Sequence, residues 1–302
     1  MQVIQRDSYQ VIGSLSPSRA PNLPKWWLWP NLLSLDAPAV ALAWQLLFVR
    51  CFHGQFAAPA AILLVGSVWL IYAADRALDA WSGDCSSARH RFYRSHGKLL
   101  IPLWMMVLAG SAWLAFTRLS AALLWRGLIL LVAIVVYFLA VHGWKSSTQG
   151  VFSRSDTLSR DVLSKEASVG LLFALGVSLA AWSNIQTLFD VAGVALFSVL
   201  CWINCAAIQK WESRLPASWN RTGVSDRPAN WPVLWVALGV AVLAASLSWF
   251  HRPILGAAEM ASALALIWLD RKGHRFSPDA LRVLADVALL SPLLFLPLAG
   301  RV

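Results

Sequence analysis

Charge is scarce in this chain. Its 302 residues hold 25 basic and 15 acidic side chains, 13% in all, against 58% apolar residues and a mean hydropathy of +0.60. A soluble globule that apolar would aggregate, so the composition excludes that class and points to a polytopic helical membrane protein. Cysteine is scarce too: Cys51, Cys85, Cys201 and Cys205 lie in or beside apolar runs, which argues against a disulfide framework. Cys201 and Cys205 could share a helix face, but without nearby His or further Cys they read as small core residues. Glycine-rich nucleotide loops, an HExxH pair and a nucleophile elbow are all missing, so the common soluble enzyme chemistries lack support. The polar, basic, Ser/Pro-rich first thirty residues show no apolar stretch followed by a small-residue cleavage site. No cleavable signal peptide is therefore expected, and the first membrane segment would serve as its own signal.

Long apolar runs are what the chain does have. Crossing a hydrocarbon core takes roughly 17 to 25 mainly apolar residues. Nine stretches qualify, near residues 33 to 52, 57 to 80, 99 to 117, 120 to 143, 166 to 183, 187 to 210, 231 to 250, 254 to 270 and 280 to 299. The expected fold is all-α: a polytopic transmembrane helical bundle of about nine helices. Residues 33–302 would form one domain, preceded by a segment 1–32 whose Trp26, Trp27 and Trp29 suit an interfacial aromatic anchor.

With the N-terminus on the cytoplasmic side, only Arg50, Arg118, Arg126, Arg252 and Arg301 of the 25 basic residues face the other way. Such a skew obeys the positive-inside rule and accounts for most of the net charge of +10. The expected partner is therefore a lipid bilayer, as in a bacterial-type inner membrane, and no nucleic acid is implied. Longer connections follow spans two, four, six and eight, so function should concentrate on the cytoplasmic face.

Span two ends in two carboxylates, Asp75 and Asp79, one helical turn apart and on one face. The stretch that follows, Arg89-His90-Arg91-Phe92-Tyr93-Arg94-Ser95-His96-Gly97-Lys98, reads as a cationic, aromatic loop. Carboxylates beside Arg and Lys suit a metal-bridged diphosphate: the carboxylates hold the cation, commonly Mg2+, and guanidinium groups take the outer phosphate oxygens. The competing reading is that Asp75 and Asp79 pair with Arg76 or the loop arginines at the membrane surface. Span six ends comparably in Asn204, Ile208 and Glu212, which share a face if the helix runs that far. Two helices four spans apart thus end in polar, metal-capable groups, which suggests one pocket between them.

In span number and motif placement the chain resembles the UbiA superfamily of intramembrane prenyltransferases. That family closes its second helix with NDxxDxxxD and its sixth with a DxxxD-type motif. Here the first motif falls on Ile71 to Asp79, keeping Asp75 and Asp79, with Tyr72 where an aspartate and Ile71 where the asparagine would stand. The second falls on Asn204 and Ile208, with Gln209 and Glu212 the nearest polar residues. The resemblance implies Mg2+-assisted ionisation of a prenyl diphosphate and transfer of the prenyl group to a hydrophobic or aromatic acceptor, in a cavity that shields the carbocation from water. It further implies Asp75 and Asp79 as catalytic metal carboxylates, Asn204 and Glu212 as further metal ligands, and Tyr72, Arg76, Arg89, Arg91, Arg94, Lys165 and Asp286 as substrate contacts. A UbiA-like terpene cyclase, or a non-catalytic lipid-binding or transport protein on the same fold, stays open.

Other polar residues carry two readings each. Lys165 could reach a phosphate or be an ordinary interfacial lysine, with Glu166 at a positive helix start. Asp286 could pair with Arg282 one turn earlier, or contact substrate. Asp36, before Pro38, could cap a helix or bind the acceptor. Tyr137 and His142 could serve the acceptor or the bundle. Glu259 has no evident partner. The stretch from Lys145 to Lys165 could be a lid or a plain connector.

Overall fold

The computed structural model describes residues 26–81, 88–147, 157–212 and 233–299, with side chains for 26–78, 92–140, 165–211 and 235–299. Every regular element among these residues is a helix. After a 3-10 turn at Trp26–Leu28 come α1 (Trp29–Leu32), α2 (Asp36–Cys51), α3 (Ala58–Trp81), α4 (Ala88–Arg118), α5 (Ala121–Ser147), α6 (Thr157–Ser178), α7 (Leu188–Glu212), α8 (Val233–Phe250), α9 (Pro253–Lys272), α10 (Pro278–Ala288) and α11 (Pro292–Phe295).

All nine expected segments contain helix, but they do not all make a straight span. Six helices are long and apolar enough to cross a membrane, and a bent pair would make a seventh. That pair is Trp26–Leu32 with Asp36–Cys51, which meet at 77°. The bend falls at Ser34, whose φ of 58° is left-handed, a backbone region that a non-glycine residue holds only when its surroundings fix it there. The expected ninth span, 280 to 299, is broken: α10 stops at Ala288 and the chain turns before α11 starts at Pro292. Pro292 has no N–H for a helix continuing from α10 and crowds the residue before it, which explains the interruption.

Two further boundaries differ from the sequence expectation. The cationic stretch Arg89–Lys98 is not a loop but the opening turns of α4, a single helix of 31 residues. The hydropathy pattern locates only the apolar part of such a helix, while the polar turns before it contain no proline to stop them. Phe92 stacks on His96 one turn on, at 4.4 Å, an ordinary helical pairing. Likewise α6 begins at Thr157, well before the apolar start at 166, so the latter part of the stretch taken for a lid or connector is helix.

The helix α2 runs through the core, with Trp44, Leu47 and Phe48 entirely buried. Trp44 stacks on Phe197 of α7 at 4.3 Å and donates from Nε1 to the Leu289 carbonyl at 2.7 Å. That bond satisfies a carbonyl at the end of α10 that no helical N–H reaches. Trp69 Nε1 does the same for Leu33 O across the α1–α2 bend, at 2.9 Å. Tryptophan here fastens one helix to another's backbone.

The two ends of the bundle are distinct. At one, Arg50 donates to Leu296 O at 2.8 Å, Asn184 packs on Gly54, and Arg252 pairs with Asp190 at 2.7 Å. At the other, Lys210 pairs with Asp270 at 2.9 Å, and Asn31, Ser34, Asp36, Arg76 and Tyr93 form a connected polar cluster. This second end is where the candidate site residues lie.

Close helix approach depends on glycine at two places. A Cβ on Gly170 of α6 would lie 2.9 Å from Ser198 O and Trp202 N of α7. One on Gly256 of α9 would overlap the Ala244 carbonyl and Ser248 backbone of α8. Without a hydrophobic force between helices in lipid, such backbone contact is a main source of association. Gly256→Ala should therefore lower stability by about 1–3 kcal/mol in thermal unfolding of the purified protein. Gly239→Ala, whose Cβ meets nothing within 4 Å, is the control and should not.

Candidate functional site

Asn204, Asp286 and Tyr72 come from three different helices and meet at one cavity. It is narrow, with a volume of about 30 Å3, and is lined by Ala37 and Val40 of α2, Tyr72 of α3, Val169 and Phe173 of α6, Cys201, Asn204 and Cys205 of α7, Asp286 of α10 and Leu289 just beyond. The helical spacing of α7 puts Cys201, Asn204 and Cys205 on one face, so the small cysteines leave the room that the amide points across. The Tyr72 and Phe173 rings meet edge to face, with centroids 6.5 Å apart.

The polar atoms of this cavity are chemically lopsided. Asn204 donates from Nδ2 to Asp286 Oδ1 at 3.2 Å. With that orientation, Asn204 Oδ1 is buried and has no hydrogen-bond partner among the described residues. Asp286 also meets the carboxyl of Asp36. Among the described residues no Arg, Lys or His lines the cavity.

Behind Asp36 sits Arg76, buried to 5% exposure. Its guanidinium donates to Asn31 O, to Ser34 Oγ at 2.9 Å and to Asp36 Oδ2 at 3.4 Å. Asn31 Nδ2 donates to the same carboxylate oxygen at 2.6 Å. Ser34 Oγ shares a 2.7 Å hydrogen bond with the Tyr93 hydroxyl. Thus α1, α2, α3 and α4 are tied by one guanidinium fork, which suits Arg and not Lys. Among the described residues, the carboxylate that Arg76 pairs with is Asp36; the side chain of Asp79 lies outside them. Asp36 occupies the first turn of α2 rather than its cap, which is Leu35.

Asp75 is half-buried on α3 and has a partner of its own. The acidic groups acting on the Tyr137 hydroxyl are Asp75 and Glu166, and that hydroxyl is buried without a hydrogen-bond partner. Lys165, adjacent to Glu166 at the start of the apolar part of α6, is exposed, as is Arg94 on α4, which has a partner. The structure therefore brings Tyr72, Asn204 and Asp286 together, holds Arg76 one layer behind them, and leaves Lys165 and Arg94 at the surface. The helix α7 does reach Glu212, as the shared face with Asn204 requires. The side chains of Asp79, Arg89, Arg91, His142 and Glu212 lie outside the described residues. Among the described ones no group of three His, Cys, Asp or Glu could hold a metal ion.

Residues that the motifs passed over are Asn31, Ser34 and Tyr93. Ser34 and Tyr93 bind each other across 59 positions and Ser34 binds Arg76 across 42, so local spacing does not mark them; Asn31 does lie only five positions from Asp36. Asp36 and Arg76 did carry a signal: each is a charge inside or beside an apolar run, and charges there pair with one another.

Two more buried polar groups stand toward the opposite end. Asp190 is fully buried and accepts from Gln186 N and Thr187 N, both at 3.0 Å, as well as from Arg252. It therefore closes the start of α7 much as a capping residue does. Glu259 of α9 is fully buried, and among the described residues neither carboxyl oxygen has a hydrogen-bond partner.

No protein-family model, no curated protein and no solved structure matches the chain.

Removing Arg76 leaves the Asp36 carboxylate buried and uncompensated, so Arg76→Met should cost about 3–5 kcal/mol of stability. Adding Asp36→Leu should recover most of that loss in the same unfolding experiment, because both charges are then gone. Glu259→Met, by contrast, removes a buried group with no partner and should leave the unfolding temperature unchanged or slightly higher, worth about 1 kcal/mol.

Proposed function

We propose that this multi-pass helical membrane protein is a prenyltransferase of UbiA-like architecture, with its N-terminus in the cytoplasm. It would move a prenyl group from a prenyl diphosphate to a hydrophobic or aromatic acceptor. One observation carries the reading: Tyr72 and Asn204, the positions on which the two family motifs fall, line the same cavity although they lie on helices four segments apart.

The cavity suits the chemistry. Its walls are largely apolar and aromatic, which keeps water from a reactive allylic centre. Asp75 and Lys165 sit on α3 and α6, the same two helices that supply Tyr72 and Phe173. They would receive the diphosphate at the mouth, with Lys165 contributing positive charge. Bound Mg2+ would supply charge neutralisation for the departing diphosphate. The described donors, the Asp75 carboxylate and the free oxygen of Asn204, are too few to complete its shell, so the reading assigns the remaining ligands to Asp79 and Glu212.

The test is turnover. Purified protein in lipid nanodiscs, given labelled geranyl or farnesyl diphosphate, Mg2+ and a lipid extract, should release diphosphate and form a prenylated product. Asp75→Asn should reduce the rate by about 100-fold or more. Absence of both diphosphate release and product across chain lengths would refute the assignment, and a hydrocarbon or terpene alcohol formed without acceptor would reassign it to cyclisation.

A further inference from the structure

Two arginines at the end of the bundle away from the candidate site have no counter-charge in the protein. Arg118 closes α4 and Arg126 lies in the second turn of α5, on either side of the short turn Leu119–Ser120. Arg118 is exposed and Arg126 half-buried, and among the described residues neither makes a hydrogen bond, an ion pair or a ring contact. The other described arginines of that end are committed: Arg50 to the Leu296 carbonyl and Arg252 to Asp190. No acid occurs between Asp84 and Asp156, so the hairpin cannot neutralise its own charges. The described acids toward this end, Asp190 and Glu259, are fully buried, the first already engaged by Arg252 and the start of α7. A guanidinium this close to hydrocarbon still needs an anion.

The geometry of the turn sets the depth at which that anion sits. In a helix each Cα–Cβ bond leans toward the N-terminus. Arg118, at the end of α4, therefore leans back toward the bilayer, while Arg126 leans forward toward the turn. Arg126 starts about 7.5 Å below the first residue of α5, a drop its flexible stem spans by snorkelling. Both heads thus reach the same interfacial layer. Trp113 and Trp125, exposed on the two helices beside these arginines, are the aromatic residues that settle at headgroup level.

Below the turn the surface is apolar. The helix α4 packs chiefly on α3, and α5 on α6 and the 3-10 turn Leu179–Asn184, so Phe116 and Ile129 are left largely uncovered. An anion that also brings hydrocarbon chains satisfies both parts of this surface. A second copy of the chain does not, because a symmetric contact through the turn would set arginine against arginine with no acid between. A zwitterionic headgroup fits poorly too: its phosphate suits the guanidinium groups, but its ammonium meets the same cations and finds no carboxylate.

We propose that the α4–α5 turn is a binding site for an anionic phospholipid, whose phosphodiester is held by Arg118 and Arg126 while its acyl chains lie along the exposed faces of the two helices. Guanidinium groups match phosphate oxygens in pairs, which Lys would not. The site is independent of the prenyltransferase reading.

The experiment is photolabelling of full-length protein in phosphatidylcholine nanodiscs. Phosphatidylglycerol and phosphatidylethanolamine probes with the same diazirine-bearing acyl chain are added at equal mole fraction to separate samples, and labelled peptides are mapped by mass spectrometry. The α8–α9 turn at the same end, whose Arg252 is neutralised by Asp190, is the internal reference. Relative to it, the phosphatidylglycerol probe should label the α4–α5 turn at least about fivefold more than the phosphatidylethanolamine probe, since each basic residue near an anionic surface is worth a factor of about five. Arg118→Gln combined with Arg126→Gln should bring the two probes level. Inorganic phosphate should compete no better than sodium chloride of equal ionic strength. Equal labelling by the two probes, a preference that survives the double variant, or specific competition by inorganic phosphate would each overturn the proposal. So would protection of the turn from both probes, which would mean that another protein surface covers it. Only the second of these outcomes needs a variant, so a misfolded double mutant does not remove the test, and none of them bears on prenyl transfer.

Discussion

Inside a bilayer a charge must find its counter-charge within the protein, because neither water nor lipid supplies one. Arg76 meets that demand on behalf of four helices. Its guanidinium reaches the end of α1, the bend at Ser34 and the first turn of α2, and through Ser34 it reaches Tyr93 on α4. The left-handed backbone at Ser34 is tolerable because that residue's hydroxyl is held from two sides. With the bend fixed, Asp36 faces Asp286, Asp286 engages Asn204, and the cavity acquires its polar wall. The chain of dependence runs from one buried cation to the orientation of a single amide some helices away.

The opposite end of the bundle solves the same problem with a different device. Asp190 folds back on the N–H groups that open α7 and takes Arg252 as its counter-ion, so one carboxylate serves a helix start and an ion pair at once. Between these two polar ends the middle of α2 is aromatic and aliphatic, with Trp44, Phe48 and Phe197 in mutual contact. The site is thus at an end of the bundle.

Hydropathy placed helix within each of the nine expected stretches, six of them long and apolar enough to cross a membrane. It did not locate the polar turns that extend α4 back to Ala88 and α6 back to Thr157, because those residues carry no apolar signal. Motif spacing pointed to a pocket between Asp75 and Asp79 on one helix and Asn204 and Glu212 on another; of these only Asn204 lines the cavity described, beside Tyr72. It could not show that Arg76 belongs to Asp36, because a pairing across 40 residues leaves no trace in local periodicity. Asp286 was legible as an intramembrane acid in need of a partner. That its partners come from α2 and α7 follows from a break before Pro292 that lets α10 tuck against them.

From Leu99 to Ala140 not one residue is buried. The greater part of the α4–α5 hairpin therefore presents its apolar surface outward, with Met105, Trp113, Phe116, Trp125 and Ile129 all largely uncovered. The protein's own hold on this hairpin comes mainly through α3, where Trp104 Nε1 donates to Leu70 O at 2.9 Å and a Cβ on Gly66 would meet Ser111; the rest of its apolar surface faces outward. A micelle and a membrane are for this region two different folding partners, while the tightly packed α2, α7 and α9 answer chiefly to one another.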